Sequence, residues 1–150
     1  MDEIVKNDVQ WPIHYFEDLE VGMEASHTKR ITDGDILSFA NISGDCNPVH
    51  LDDEFAAGTI FKERIAHGIL TASLFSTILG TKLPGPGAIY LSQSLNFRAP
   101  VKVDDVVVAA ARVTHLLPEK KRVIMSCNCQ VDGKTVLDGE AVILVPSRPE

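Results

Sequence analysis

Concentrated positive charge is what this sequence most clearly lacks. Its 14 Lys and Arg residues are scattered along 150 positions against 21 Asp and Glu, for a formal net charge of -7. No basic face is therefore expected for a nucleic-acid backbone or an anionic membrane surface, and neither partner is predicted. Long apolar runs are missing as well, since none approaches the ~18 residues that a membrane-spanning helix needs. The opening stretch, MDEIVKNDVQ, carries acids where a secretory signal needs a basic and then an apolar segment, so a soluble, cytoplasmic chain is the expectation. Cysteine is scarce and odd in number, at three. Cys127 and Cys129 share one apparent strand and are not placed to bridge each other, which fits a reducing compartment and argues against a disulfide scaffold. Repeats, low-complexity tracts and linkers are absent too. With 45% hydrophobic residues, the chain has enough apolar material for one core, and a single domain over 1–150 is expected, preceded by a loose arm at 1–14 whose Trp11 and Ile13, with Tyr15 and Phe16, can fold back onto the surface.

What is present is a change of hydrophobic period midway along the chain. Thr32 followed by Asp35 reads as a capping box, and Ile36, Phe39 and Ala40 recur at helical spacing, predicting a short helix that ends near Gly44. DDEFAAG fits one helical turn started by Asp52 and Asp53. Residues 65–81, IAHGILTASLFSTILGT, are apolar on nearly every face, so a helix there has to be enclosed. From residue 89 the period becomes two. Ile89, Leu91, Leu95 and Phe97 alternate with polar neighbours, predicting a half-buried strand over 89–97 interrupted only by Gln93. Strands are expected over 24–31, 105–116, 122–131 and 135–145, with Pro118-Glu119 and Asp132-Gly133 as hairpin turns. A curved antiparallel sheet wrapped around the one greasy helix is the economical α+β solution.

The stretch GDCNPVH, residues 44–50, is where chemistry concentrates. Its plain reading is a helix stop and an Asx-type turn stiffened by Pro48. Its composition adds something further: Asp45 and His50 are side chains suited to share proton transfer near neutral pH, and the Asn47-Pro48 pair restricts how they turn relative to each other. That spacing suits a clamp on one water molecule. Metal binding fits less well. Asp45, Asn47, His50 and Asp52 all bear ligand atoms, but a calcium loop begun at Asp45 would want Gly and Glu where the chain has His50 and Ala56. No patterned set of His or Cys completes a zinc site, so no metal is expected. The GPG around Pro86 lies between a helix and a strand and reads as a turn rather than a nucleotide fingerprint. His67, at the start of the long helix, reads as a residue that caps or orders the loop rather than one that reacts. Ser76, on its own, is a hydroxyl able to bond a carbonyl one turn back.

Taken together, GDCNPVHLDDEFA, RIAHGILTASLFSTILG and IYLSQSLNFRAPVKVDD resemble the MaoC-like family of (R)-specific enoyl-CoA hydratases, over about residues 16–145. The resemblance implies a hot-dog fold, in which an antiparallel sheet wraps a central helix, and a homodimer. It implies that Asp45 and His50 are the catalytic pair, supported by Asn47, and that the family's conserved helical serine falls on Ser76. It places the thioester carbonyl on the backbone N–H of Gly68, a role that a helix N-terminus and the small glycine both suit. The floor of the acyl pocket falls on Leu79, which implies a preference for short enoyl chains of roughly four to six carbons. The implied reaction is reversible syn hydration of a trans-2-enoyl-CoA to the (R)-3-hydroxyacyl-CoA, with no cofactor. An acyl-carrier-protein dehydratase, a hot-dog thioesterase and a non-catalytic hot-dog subunit are the alternatives. The intact Asp45 and His50 motif favours hydration over all but the first.

Overall fold

The structure is a computed structural model that describes residues 10–150. In chain order it contains a 3₁₀ turn at Phe16–Asp18, β1 (Glu24–Arg30), α1 (Asp33–Ser43), α2 (Pro48–Leu51), α3 (Asp53–Ala57), α4 (Gly68–Thr81), β2 (Ile89–Gln93), β3 (Asn96–Phe97), β4 (Val106–Leu117), β5 (Arg122–Val131) and β6 (Lys134–Leu144). The sheet runs β1-β4-β5-β6-β2, with β3 paired further along β6, and every pairing is antiparallel. Period-two burial explains its inner face. Val107, Ala109, Ala111 and Val113 of β4 alternate inward, as do Val123, Met125, Cys127 and Cys129 of β5, and all are buried. Burial pushes the Cys127 thiol up to about 11 and the Cys129 thiol up to about 12, so neither supplies a thiolate near neutral pH. Asp132 and Gly133 both adopt positive φ, 51° and 78°. That is the two-residue turn whose twist matches the β5–β6 hairpin.

α4 packs against β4, β1 and β5. Its buried stripe is Thr71, Leu74, Phe75, Ile78 and Leu79, spaced at helical intervals that face the sheet together. Ile69, Ser73, Ser76 and Gly80 form the opposite, exposed stripe. A sheet curled over one buried helix is the hot-dog arrangement implied by the resemblance. Among the described residues no helix is long and apolar enough to cross a membrane.

Two expectations are corrected. The long helix begins at Gly68 rather than Ile65, because the preceding residues are drawn into extended pairing: the Ala66 N–H donates to the Val101 carbonyl at 2.7 Å, and Ile65 bridges Lys102. The strand expected over 89–97 is divided, and it is not half-buried. A bulge between Tyr90 and Ser92 shifts the register, and the Ser94 N–H then reaches the Glu140 carbonyl at 2.9 Å as the chain crosses Gly139, where an added Cβ would collide with the Ser94 carbonyl. Ile89, Tyr90, Leu91 and Phe97 remain exposed on this sheet edge. The apolar strand that begins near Asp105, in contrast, is not an edge: β4 is covered by β1 and β5. Most of the expected arm, residues 1–9, lies outside the described residues. Beyond it the chain does fold back, with the His14 N–H bonded to the Pro84 carbonyl and Phe16 buried, while Trp11 and Ile13 stay exposed.

Candidate active site

The loop after α1 is built by successive caps. Thr32 and Asp35 form the expected capping box, and Gly44 ends α1 in the left-handed conformation, at φ 79°. The Asp45 N–H then donates to Ser43 Oγ at 3.1 Å, the Asn47 N–H to Asp45 Oδ1 at 3.2 Å, and the Val49 N–H to Asn47 Oδ1 at 3.1 Å. Asn47 is thus the N-cap of α2, with Pro48 at its first position. Its carboxamide is committed to holding the turn that separates Asp45 from His50.

This turn leaves Asp45 exposed and His50 buried. A carboxylate oxygen of Asp45 and ring nitrogens of His50 and His67 all lie within 4.8 Å of one another. His50 Nδ1 donates to the Ile65 carbonyl at 2.8 Å. A carbonyl can only accept, so in the neutral ring Nε2 carries the lone pair. The His50 backbone is anchored in turn, since Arg64 Nε donates to its carbonyl at 2.7 Å while the same guanidinium pairs with Asp33 at 2.5 Å. Two acceptors at this separation match the reach of a single bridging water, which donates one ~2.8 Å hydrogen bond to each.

Beside them, α4 opens with three N–H groups, of Gly68, Ile69 and Leu70, that have no backbone acceptor among the described residues. A 14-residue helix presents partial positive charge at that end. Three clefts meet here. One of about 280 Å³ is lined by Asp45, His50, His67, Gly68 and Ile69. A second of about 500 Å³ shares His50, Gly68 and Ile69 with it and extends along Phe61, Phe97, Arg98 and Val136. A third, about 380 Å³, shares Phe39 and Ile69 and runs between α4 and β2 past Ser76 and Tyr90.

The structure therefore brings together Asp45, His50, Asn47 and Gly68. It does not bring Ser76 to the dyad, because Ser76 lies on the outward stripe of α4, two turns beyond Gly68, in the third cleft. Leu79 is 3% exposed and packs in the core one turn further on, lining none of the three clefts. Its helical phase, shared with Phe75 and Ile78, turns it toward the sheet. His67 was expected to cap or order the loop, and its side chain makes no cap bond. It orders the loop instead, donating from Nε2 to the Asp45 carbonyl at 2.9 Å. Sequence reasoning passed over Phe97 and Arg64. The Phe97 ring rests on Gly68 so closely that an added Cβ would lie 2.5 Å from Cε1.

Comparison with known proteins bears on the family and the fold. The MaoC like domain model matches residues 17–134. The 3-hydroxybutyryl-CoA dehydratase of Methylorubrum extorquens is 53% identical over 136 residues, covering 91% of this chain and 87% of that protein. An (R)-specific enoyl-CoA hydratase of Rhodospirillum rubrum is 52% identical, covering 91% and 94%. Among solved structures, an unliganded R-hydratase from Pseudomonas aeruginosa superposes with a TM-score of 0.84 at 48% identity, covering 89% of this chain and 86% of that one. By sequence match and by fold, the chain belongs to the MaoC-like domain family.

Proposed function

We propose that this protein is an (R)-specific enoyl-CoA hydratase, catalysing reversible syn hydration of short trans-2-enoyl-CoA thioesters. The observation that carries the reading is the Asp45 carboxylate and His50 imidazole within 4.8 Å of each other, next to the open N-terminus of α4. Asp45 and the Nε2 lone pair of His50 each accept a hydrogen bond from one water. As the water oxygen bonds to C3, its proton passes to the dyad and the C2=C3 π pair moves toward the thioester oxygen, which gains negative charge. The Gly68 N–H, with the helix end behind it, opposes that charge. The electron pair then returns to C2, which takes its proton from the same dyad, so hydrogen and hydroxyl arrive on one face. No cofactor or metal enters this sequence. The roles of base and acid are shared between the two groups.

The clefts suggest how substrate lies. With the thioester at Gly68, the acyl tail follows the cleft between α4 and β2 past Ser76, and the CoA arm leaves along Phe97 and Arg98. The exposed apolar edge of β2 and the outer stripe of α4 border that acyl cleft, and a homodimer that covers them completes it. Light scattering tests this: a fully active monomer would contradict it. Free thiols at Cys46, Cys127 and Cys129 suit a cytoplasmic setting. The reaction itself is tested by following loss of the conjugated enoyl thioester with crotonyl-CoA and with the matching carrier-protein thioester, then by chiral analysis of the product. Turnover giving the (S) alcohol, or none on either thioester, would sink the proposal.

A further inference from the structure

His67 sits where the Asp45 loop, the His50 ring and the start of α4 meet. It is 2% exposed. Its Nε2 donates to the Asp45 carbonyl, which fixes the proton on Nε2 and leaves a lone pair on Nδ1. Its ring lies over His50, with centroids 3.9 Å apart and planes 30° apart, and leans on Phe39 at 4.7 Å. Its carbonyl carbon also forms the peptide that carries the Gly68 N–H. One residue, through its side chain and its own peptide, therefore touches every component of the proposed machinery. We infer that His67 is a positioning residue: its anchored ring sets the Asp45 backbone, the face of His50 and the direction of the Gly68 N–H together, and it exchanges no proton with substrate.

The surroundings hold the ring in one orientation. The titratable groups facing His67 are Asp45 from the loop and His50 from α2, while α1 presents Phe39. Arg64 is turned away, into the His50 carbonyl and Asp33. Among the described residues, His67 Nδ1 and Thr71 Oγ1, one turn later, are the buried polar side-chain atoms without a partner.

The kinetic part of the test rests on the hydratase reading, and the spectroscopic part does not. His67→Gln keeps an N–H that can reach the Asp45 carbonyl, His67→Phe keeps a ring against His50, and His67→Ala removes both. The Ala variant is expected to lose about 10²-fold in kcat with KM little changed, the scale of a ~1 Å misplacement, and Gln and Phe to fall between it and wild type. The pH–rate profile of the Gln variant should keep its shape at reduced height. Wild-type kcat in folded His67→Ala would overturn the inference, and so would loss of one limb of the profile in His67→Gln, which would make His67 a proton-transfer group. If the Ala variant does not fold, Gln and Phe decide by the same criteria. Without substrate, NMR of the imidazole nitrogens of wild type should show a hydrogen-bonded proton on His67 Nε2, donated to the Asp45 carbonyl. An Nε2 without a proton would overturn the inference whatever the reaction proves to be. Wild-type protein that turns over no enoyl thioester would sink the hydratase reading and leave this spectroscopic result to stand or fall alone.

Discussion

Replacing Gly68 by Ala probes the thioester site with a single methyl group. That methyl would lie 2.5 Å from Phe97 Cε1 and 2.8 Å from Cδ1, where ordinary contact begins at 3.4 Å. The ring must retreat by roughly 1 Å, a displacement that a surface aromatic on a two-residue strand can absorb. Folding should change little. Strain of about 1 kcal/mol at Phe97 is offset by the better helix propensity of Ala, worth up to ~1 kcal/mol over Gly. Catalysis should change a great deal, because the methyl occupies the approach to the Gly68 N–H and shifts a bound thioester by a distance comparable to its own radius. A misplacement of ~1 Å costs about 10²-fold in kcat. The assay is initial-rate hydration of crotonyl-CoA alongside a thermal melt. Adding Phe97→Leu separates the two effects: if Gly68→Ala acts only by pushing the ring, the double variant regains activity, and if it crowds the thioester, it does not. A stable Gly68→Ala protein with wild-type kcat would refute the assignment of this N–H.

Asp45→Asn and His50→Ala should each lower kcat by about 10²–10⁴-fold with little effect on folding, and the double variant should be scarcely worse than either single one; near-normal turnover in either would remove the mechanism. Burial, and then the Lys82 and Lys29 ammonium groups, hold the His27 imidazole below its ordinary 6.5. The unfolded chain therefore takes up a proton that the folded one resists, and stability present above about pH 6.5 declines as pH falls through that value toward the lower folded pKa. Thermal melts of His27→Gln should show a flatter acid limb, and an unchanged limb would assign the loss to other groups. Leu79→Ala, which truncates a core residue that lines none of the clefts, should cost about 2–5 kcal/mol in chemical denaturation and leave the ratio of kcat/KM on 2-octenoyl-CoA and crotonyl-CoA unchanged. A ratio raised toward the longer substrate in a folded variant would show that Leu79 does close the acyl cleft.

Elements whose partners lie nearby in sequence, or whose faces obey one period, were legible without coordinates. The Thr32 and Asp35 box, the Asp132-Gly133 turn and the alternation in β5 each carry their own local reason, and each stands where the sequence places it. The errors occur where a distant strand intervenes. Ile65 and Ala66 have helical neighbours and apolar side chains, yet Val101 and Lys102 claim them for extended pairing, a contact separated by more than thirty residues. The strand over 89–97 fails for a related reason. Its alternation is real, but β2 stands at the end of the sheet with its apolar side chains exposed, and alternation alone cannot tell a face the chain buries from one it leaves open.

The site divides along the same line. Asp45, Asn47 and His50 fall within six consecutive residues, so their chemistry could be read from spacing. What makes them a site is assembled by contacts across the fold: Ile65 fixes the His50 tautomer, Arg64 holds its carbonyl, and His67 holds that of Asp45. All three anchors sit in the four-residue run of Arg64 to His67, directly before Gly68. Drawing that run out of the helix into extended pairing is what lets it face the Asp45 loop, and it is also what exposes the Gly68 N–H. The misplaced helix start and the overlooked Arg64 therefore have one cause. Had α4 begun at Ile65, the carbonyl that accepts from His50 Nδ1 would have been available to the Ile69 N–H one turn on, and the Gly68 N–H proposed for the thioester would have been taken up by the Arg64 carbonyl. The extended run supplies the acid-base pair with its supports and the helix with its open end in a single segment.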